Sequence, residues 1–167
     1  VNTRAQYSES ERTVTFSDSS GNEFEYEMTR NGFTILAVAS QNGNMQMGRE
    51  RFHTINGFSL KGHEETGRKA AETALALLDA VPAKGGKMNA VLDPELAGVF
   101  AHEAVGHASE GDLVKEGISV LKGHIGEKIG SPAVTIVDDP TLPHWGFMPV
   151  DDEGTAVQRT LIIEKGV

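Results

Sequence analysis

His102 and His107 bracket Glu103 in the run His102-Glu103-Ala104-Val105-Gly106-His107, which gathers two imidazoles and a carboxylate in one short stretch. Neutral imidazoles are good zinc ligands, and a carboxylate beside a zinc-bound water can act as its general base. In the familiar spacing, His-Glu-x-x-His, both histidines fall on one helical face. Here one extra residue separates them. At about 100° per residue an i,i+5 pair is offset by about 140°, so a regular α-helix cannot point both rings at one ion. A π-type turn with i→i+5 bonding restores the shared face, and such turns are common at functional sites. Gly106, just before His107, is where a non-helical or widened backbone costs least.

The surrounding residues set up the helix that must carry this device. Asp93 is a good N-cap, Pro94 suits the first helical position, and Glu95 favours the positive end of the helix dipole. Leu96, Ala97, Val99, Phe100, Ala101, Ala104 and Val105 leave almost no polar face apart from the His/Glu set, which predicts a buried helix. Histidines and a glutamate inside an apolar helix need partners. A metal ion would be one. The plainer alternative makes His102 and His107 hydrogen-bonded core histidines and Glu103 a surface residue.

The run LDPELAGVFAHEAVGHASEGD, followed by VTIVDDPTLP and DDEGTAVQRTLIIEKGV, resembles the TldD branch of the TldD/PmbA family. Its members were first described as modulators of DNA gyrase and later as zinc metallopeptidases that trim peptides. The resemblance covers most of the chain and is strongest from Met88 to Val167. It implies His102 and His107 as zinc ligands and Glu103 as general base, a peptide substrate, and assembly as a homo-oligomer or with a PmbA-like partner subunit. PmbA-like members lack the motif, so its presence points to the catalytic type. Family members are longer, and their third zinc ligand is a cysteine in the C-terminal part. This chain has no cysteine. We therefore expect a fragment with an incomplete metal site, weak or absent zinc binding, and little activity of its own.

The net charge of −9 argues against a nucleic-acid-binding surface, which is normally basic. No run is long enough to cross a membrane and no signal-peptide pattern is present, so the expectation is a cytoplasmic protein. The absence of cysteine rules out disulfides.

The rest of the chain reads as α+β: antiparallel β-hairpins with helices, followed by an α/β unit around the His/Glu helix. Residues 12–18 alternate, Ser19 to Asn22 turn, and 23–30 alternate again, with Asn31-Gly32 expected to break the run. A more apolar strand follows over 33–40, then a turn at Gln41 to Asn44 and a return strand to Thr54. A helix is expected from His63 to Ala80, with Ala70, Ala74, Leu77, Leu78 and Val81 as its buried stripe and Pro82 as its stop. The linker at 83–87 suggests a hairpin-plus-helix region over 1–83 and a metallopeptidase-type region over 88–167. In the latter, 88–93 and 133–138 read as strands, the second of them buried, and 158–165 as a last apolar strand. That last strand has no obvious partner, and an unpaired apolar edge is a template for self-association.

Glu110 and Asp112 follow His107 closely, and either could steady a ligating imidazole through its second nitrogen or stand in as a third ligand. His63-Glu64-Glu65 reads as the start of an exposed helix, not a metal site. Asp151 to Gly154 lacks calcium-loop spacing, although the resemblance places it near the substrate cleft. His144 and Trp145 read as a packed loop that could also line a peptide groove. The leading function is a zinc-dependent peptidase acting on peptides or unfolded small proteins. The alternative is a non-catalytic interaction module without metal.

Overall fold

A computed structural model describes residues 1–58 and 61–167. The chain divides into two units, one comprising Val1–Lys84 with Thr141–Val157 and the other Gly85–Pro140 with Gln158–Val167.

The first unit is a three-stranded antiparallel sheet, β1 (Asn2–Ser17), β2 (Glu23–Gln41) and β3 (Asn44–Thr54), followed by helix α1 (Glu64–Leu78). The β1–β2 turn is tied by Asp18, whose carboxylate accepts from the Ser20 amide at 2.8 Å, the Asn22 amide at 3.0 Å and the Asn22 side chain at 2.8 Å. The β2–β3 turn uses Asn42 and Gly43, both at positive φ (51° and 81°), as a two-residue hairpin requires.

Two expectations fail here. Asn31-Gly32 does not interrupt the sheet, because β2 runs unbroken through it and is paired on both sides. Gly32 answers to a close approach instead: a Cβ there would lie 2.4 Å from the His53 ring and 2.5 Å from the Phe52 carbonyl oxygen. Likewise β1 begins at Asn2, well before the alternation at Arg12. Its polar first half is strand because it pairs with the apolar half of β2, from Asn2↔Val38 to Glu9↔Asn31.

Helix α1 packs on the sheet through very small residues. Ala37, Ala39, Ala70 and Ala74 are buried, with Ile35, Ala71 and Leu78 against them. Gly48, paired with Ala37, lets the helix touch the strand: a Cβ there would lie 1.9 Å from the Ala70 carbonyl oxygen. The buried stripe is rotated from the expected one. It is centred on Ala70, Ala71, Ala74 and Leu78, so Leu77 falls at its edge and is 38% exposed, while Val81 lies beyond the helix end. His63 precedes the helix with its ring 3.9 Å from that of Phe52 and 5.5 Å from that of Phe33, an aromatic contact and not a metal position.

Residues 141–157 belong to this unit. The Arg30 guanidinium donates to the Phe147 carbonyl at 3.3 Å and lies 5.9 Å from the Trp145 ring, which packs on His53 at 4.8 Å. Gly154 sits against the Phe16 ring. The acidic turn is self-contained, since one Asp151 carboxylate oxygen accepts from the amides of Glu153 and Thr155 at 2.9 and 2.8 Å.

The second unit holds helix α2 (Pro94–Ala101), a π turn (His102–Gly106), a 3₁₀ turn (His107–Ser109), helix α3 (Gly111–Glu116) and the antiparallel pair β4 (Ile136–Asp138) and β5 (Thr160–Ile163). The last apolar strand therefore has a partner. Ile136 pairs with Ile163, Val137 with Leu161 and Asp138 with Thr160, with a register shift between Ile136 and Val137. The reason given for self-association from a partnerless β5 does not hold. Residues 88–93 form no strand, and Met88 and Val91 are exposed. The 133–138 strand shrinks to three residues that are at most half-buried. Helix α2 is not buried either: Leu96, Val99 and Phe100 are 53%, 46% and 63% exposed. Among the described residues Ile163 is the one buried hydrophobic residue of this unit, so the small β4–β5 layer covers little of the helix. No helix among the described residues is long and apolar enough to cross a membrane.

Two outcomes follow from the first unit. Gly48→Ala forces α1 off β3 and should destabilise the protein by about 1–3 kcal/mol or more, read by thermal unfolding. The hydrogen bonds to Asp18, that from the Asn22 side chain foremost, hold its carboxyl below its ordinary value. A carboxyl depressed in the folded state contributes stability that is present above its ordinary pKa of about 3.9 and lost as pH falls through the folded value. Asp18→Ala should therefore lower the unfolding midpoint at neutral pH and flatten the acid limb below about pH 4. An unchanged acid limb would show that the turn contributes nothing.

Candidate metal centre

Helix α2 starts where the sequence places it. The Asp93 carboxylate accepts from the Leu96 amide at 2.8 Å, Pro94 occupies the first turn, and Ala97 donates to the Asp93 carbonyl at 2.8 Å. After Ala101 the helix widens, and the His107 amide donates to the carbonyl of His102, five residues back. This i→i+5 bond brings the two rings onto one side, 4.5 Å apart and edge to face at 66°. Gly106 contributes differently from expectation. Its backbone is ordinary right-handed helix, φ −53° and ψ −58°. A Cβ there would meet the His102 ring at 3.6 Å, an ordinary contact, so neither unusual dihedrals nor a close approach requires glycine at this position.

Glu103 joins the histidines, with one carboxylate oxygen 3.8 Å from His107 Nε2. One ligand atom each from His102, Glu103 and His107 lies within 4.8 Å of the others. Ligands about 2 Å from a tetrahedral ion stand roughly 3.3 Å apart, a spacing of the same order. Two imidazoles and a carboxylate suit zinc in donor type.

Glu110 and Asp112 part company. Glu110 Oε1 lies 2.6 Å from His107 Nδ1. Such a bond fixes the ring's orientation and leaves Nε2 on the Glu103 side free to ligate. The Asp112 carboxylate instead accepts from its neighbour's amide, Leu113, at 2.8 Å. Neither belongs to the three-residue cluster. A second pair of the same kind, His124 Nδ1 with Glu127 at 2.7 Å, also lies outside it.

Sequence reasoning missed two serines. Ser109 Oγ donates to the Val105 carbonyl at 2.8 Å and Ser119 Oγ to the Ala108 carbonyl at 2.5 Å. Serine at the ragged end of a helix is a general signal for such bonds, but nothing in the spacing links position 119 to the motif. A cavity of about 640 Å³ opens beside the site, lined by His102, Ser109, Glu110, Thr160, Ile162 and strand β4.

This α+β chain carries its His/Glu/His cluster in HExxxH spacing on a widened helix. Residues 1–78 match the PmbA/TldA metallopeptidase central domain and residues 85–167 the PmbA/TldA metallopeptidase C-terminal domain. The chain belongs to this TldD/PmbA metallopeptidase family. It is 42% identical, over its whole length, to a metalloprotease of Archaeoglobus fulgidus, of which it covers 39%. Half of it is 37% identical to 19% of a zinc metalloprotease TldD homolog of Saccharolobus solfataricus. A crystal structure of a putative modulator of DNA gyrase from Thermotoga maritima superposes on 98% of the chain with a TM-score of 0.78 at 26% identity, the match spanning 38% of that protein. The chain thus spans about two-fifths of the length of the first of these relatives.

Zinc titration of the dialysed chain should report weak binding, because complete sites normally have at least three protein ligands besides the base. Glu110→Ala should weaken it by about a further 10–100-fold and Asp112→Ala should leave it unchanged. Stoichiometric zinc surviving a chelator, or equal effects of the two variants, would contradict this assignment.

Proposed function

We propose that this chain carries the zinc site of a TldD-like peptidase acting on peptides or unfolded small proteins, with His102 and His107 as ligands and Glu103 as general base. The observation that carries the reading is the i→i+5 bond from His107 to His102, which sets two imidazoles beside one carboxylate. A structural core has no need to put them there, exposed and within one ion's reach. The zinc named for the Saccharolobus solfataricus relative supports the choice of metal. Bound zinc would polarise the scissile carbonyl and acidify a water.

The remaining work falls to the chain. Glu103 accepts the proton of the attacking water and passes it to the leaving amine. Glu110 holds the His107 ring by Nδ1, so that the opposite nitrogen faces the ion. The cavity beside His102 gives an extended peptide access between the motif and strands β4 and β5. The cysteine that the family resemblance implies as third ligand has no counterpart in this chain. His102 and His107 are accordingly the ligands proposed from this chain, with Glu103 as the base.

Glu103→Gln, in a protein containing this chain, keeps the side-chain shape and removes the base. Peptidase activity should fall by about 10²–10⁴-fold while zinc content stays near wild type, as read by metal analysis beside a peptide-cleavage assay. Loss of metal together with activity would make Glu103 a ligand and overturn its assignment as base.

A further inference from the structure

We propose that Ser119 is a positioning residue for the His102/His107 pair, acting through the backbone turn and touching neither ion nor substrate. The inference rests on the metal reading above only for its affinity readout. A π turn is an unfavourable excursion. Reverting it to α-helix removes one residue from the turn and swings His107 by about 100° away from His102. Something outside the helix must therefore hold the segment just past His107.

Ser119 is placed to do so. Its hydroxyl donates to the Ala108 carbonyl at 2.5 Å, one residue beyond His107, and accepts from the Leu121 amide at 3.1 Å. Both hydroxyl functions are thus used, and the side chain is half-buried. The Ala108 carbonyl lies in the last turn, where the chain leaves the helix at Glu110 (ψ 131°) and intrahelical donors run out. Ser119 is itself fixed. Gly117 ends α3 in the left-handed region at φ 80°, and the amides of Ile118 and Ser119 both donate to the Leu113 carbonyl, at 3.1 and 3.2 Å. This reversal carries the chain back onto the helix end. Deleting the hydroxyl leaves a half-buried carbonyl without its partner and frees the end of the π turn.

Two readouts on the same protein test this. In metal-free protein, the nuclear Overhauser contact between the His102 and His107 ring protons reports the turn directly. With metal, competition titration of zinc alone reports the site. Ser119→Ala should lose the ring contact and weaken zinc binding by about 10–100-fold. Ser119→Thr, which keeps the hydroxyl, should retain both, and Ser119→Cys, with a weak donor, should fall between. If Ser119→Ala does not fold, the Thr and Cys variants decide on their own: equal behaviour of the two overturns the proposal. An intact ring contact in Ser119→Ala also overturns it. If a longer protein containing this chain takes no zinc, the peptidase reading fails, and the ring contact alone still decides the role of Ser119.

Discussion

One backbone hydrogen bond, from the His107 amide to the His102 carbonyl, governs the second unit. Without it the two imidazoles diverge around the helix and Glu103 has only one neighbour of the right kind. The elements nearby can be understood as supports for that bond. Asp93 and Pro94 fix where the helix begins, and hence the phase in which it reaches His102. Glu110 sits on the far nitrogen of His107, and the hydroxyls of Ser109 and Ser119 take up carbonyls near the turn's end. Polar contacts do the shaping here, because the unit has almost no apolar core to do it.

The first unit is built on the opposite principle. The contact of α1 with its sheet is centred on alanines and one glycine, so helix and sheet approach until their backbones nearly touch. Small side chains bury little area each, and the gain comes from close dispersion contact over a long interface. Such packing tolerates no added methyl at Gly48 but is indifferent to the helix's outer face, where Arg68 pairs with Glu65 and Glu72 in solvent. Surface pairs of that kind contribute little. The polar loop of residues 141–157 is held to this unit by Arg30 and His53 around Trp145 and by Phe16 under Gly154, which accounts for those residues without assigning them chemistry.

The chemistry proposed for the site depends on orientation more than on charge. His102, Glu103 and His107 are all exposed to solvent. What distinguishes them from three solvated side chains is their convergence on one point and the Glu110 contact that commits one nitrogen of His107. A carboxylate that engages the back of an imidazole favours the tautomer whose other nitrogen can ligate. The proposed ligand pair, base and orienting carboxylate lie within nine residues, His102 to Glu110.

The sequence by itself determined the motif, its N-cap, the need for a widened turn and the α+β character, because these rest on local spacing and local backbone chemistry. It also carried the family resemblance. It misjudged what depends on distant partners. Asn31-Gly32 looked like a turn, but cross-strand packing of His53 and Phe52 was the reason for the glycine. The polar start of β1 precedes the alternation at Arg12 and is strand because it pairs with β2. Helix α2 looked buried because its composition is apolar, yet composition reports what a helix would bury and not whether a layer is present to cover it. β5 looked partnerless because β4 lies more than twenty residues upstream, with a loop and an excursion through the other unit between them. The choice of Glu110 over Asp112, and the presence of Ser119 at the helix end, were decided only in three dimensions. Both depend on side-chain directions and chain reversals that no one-dimensional spacing encodes.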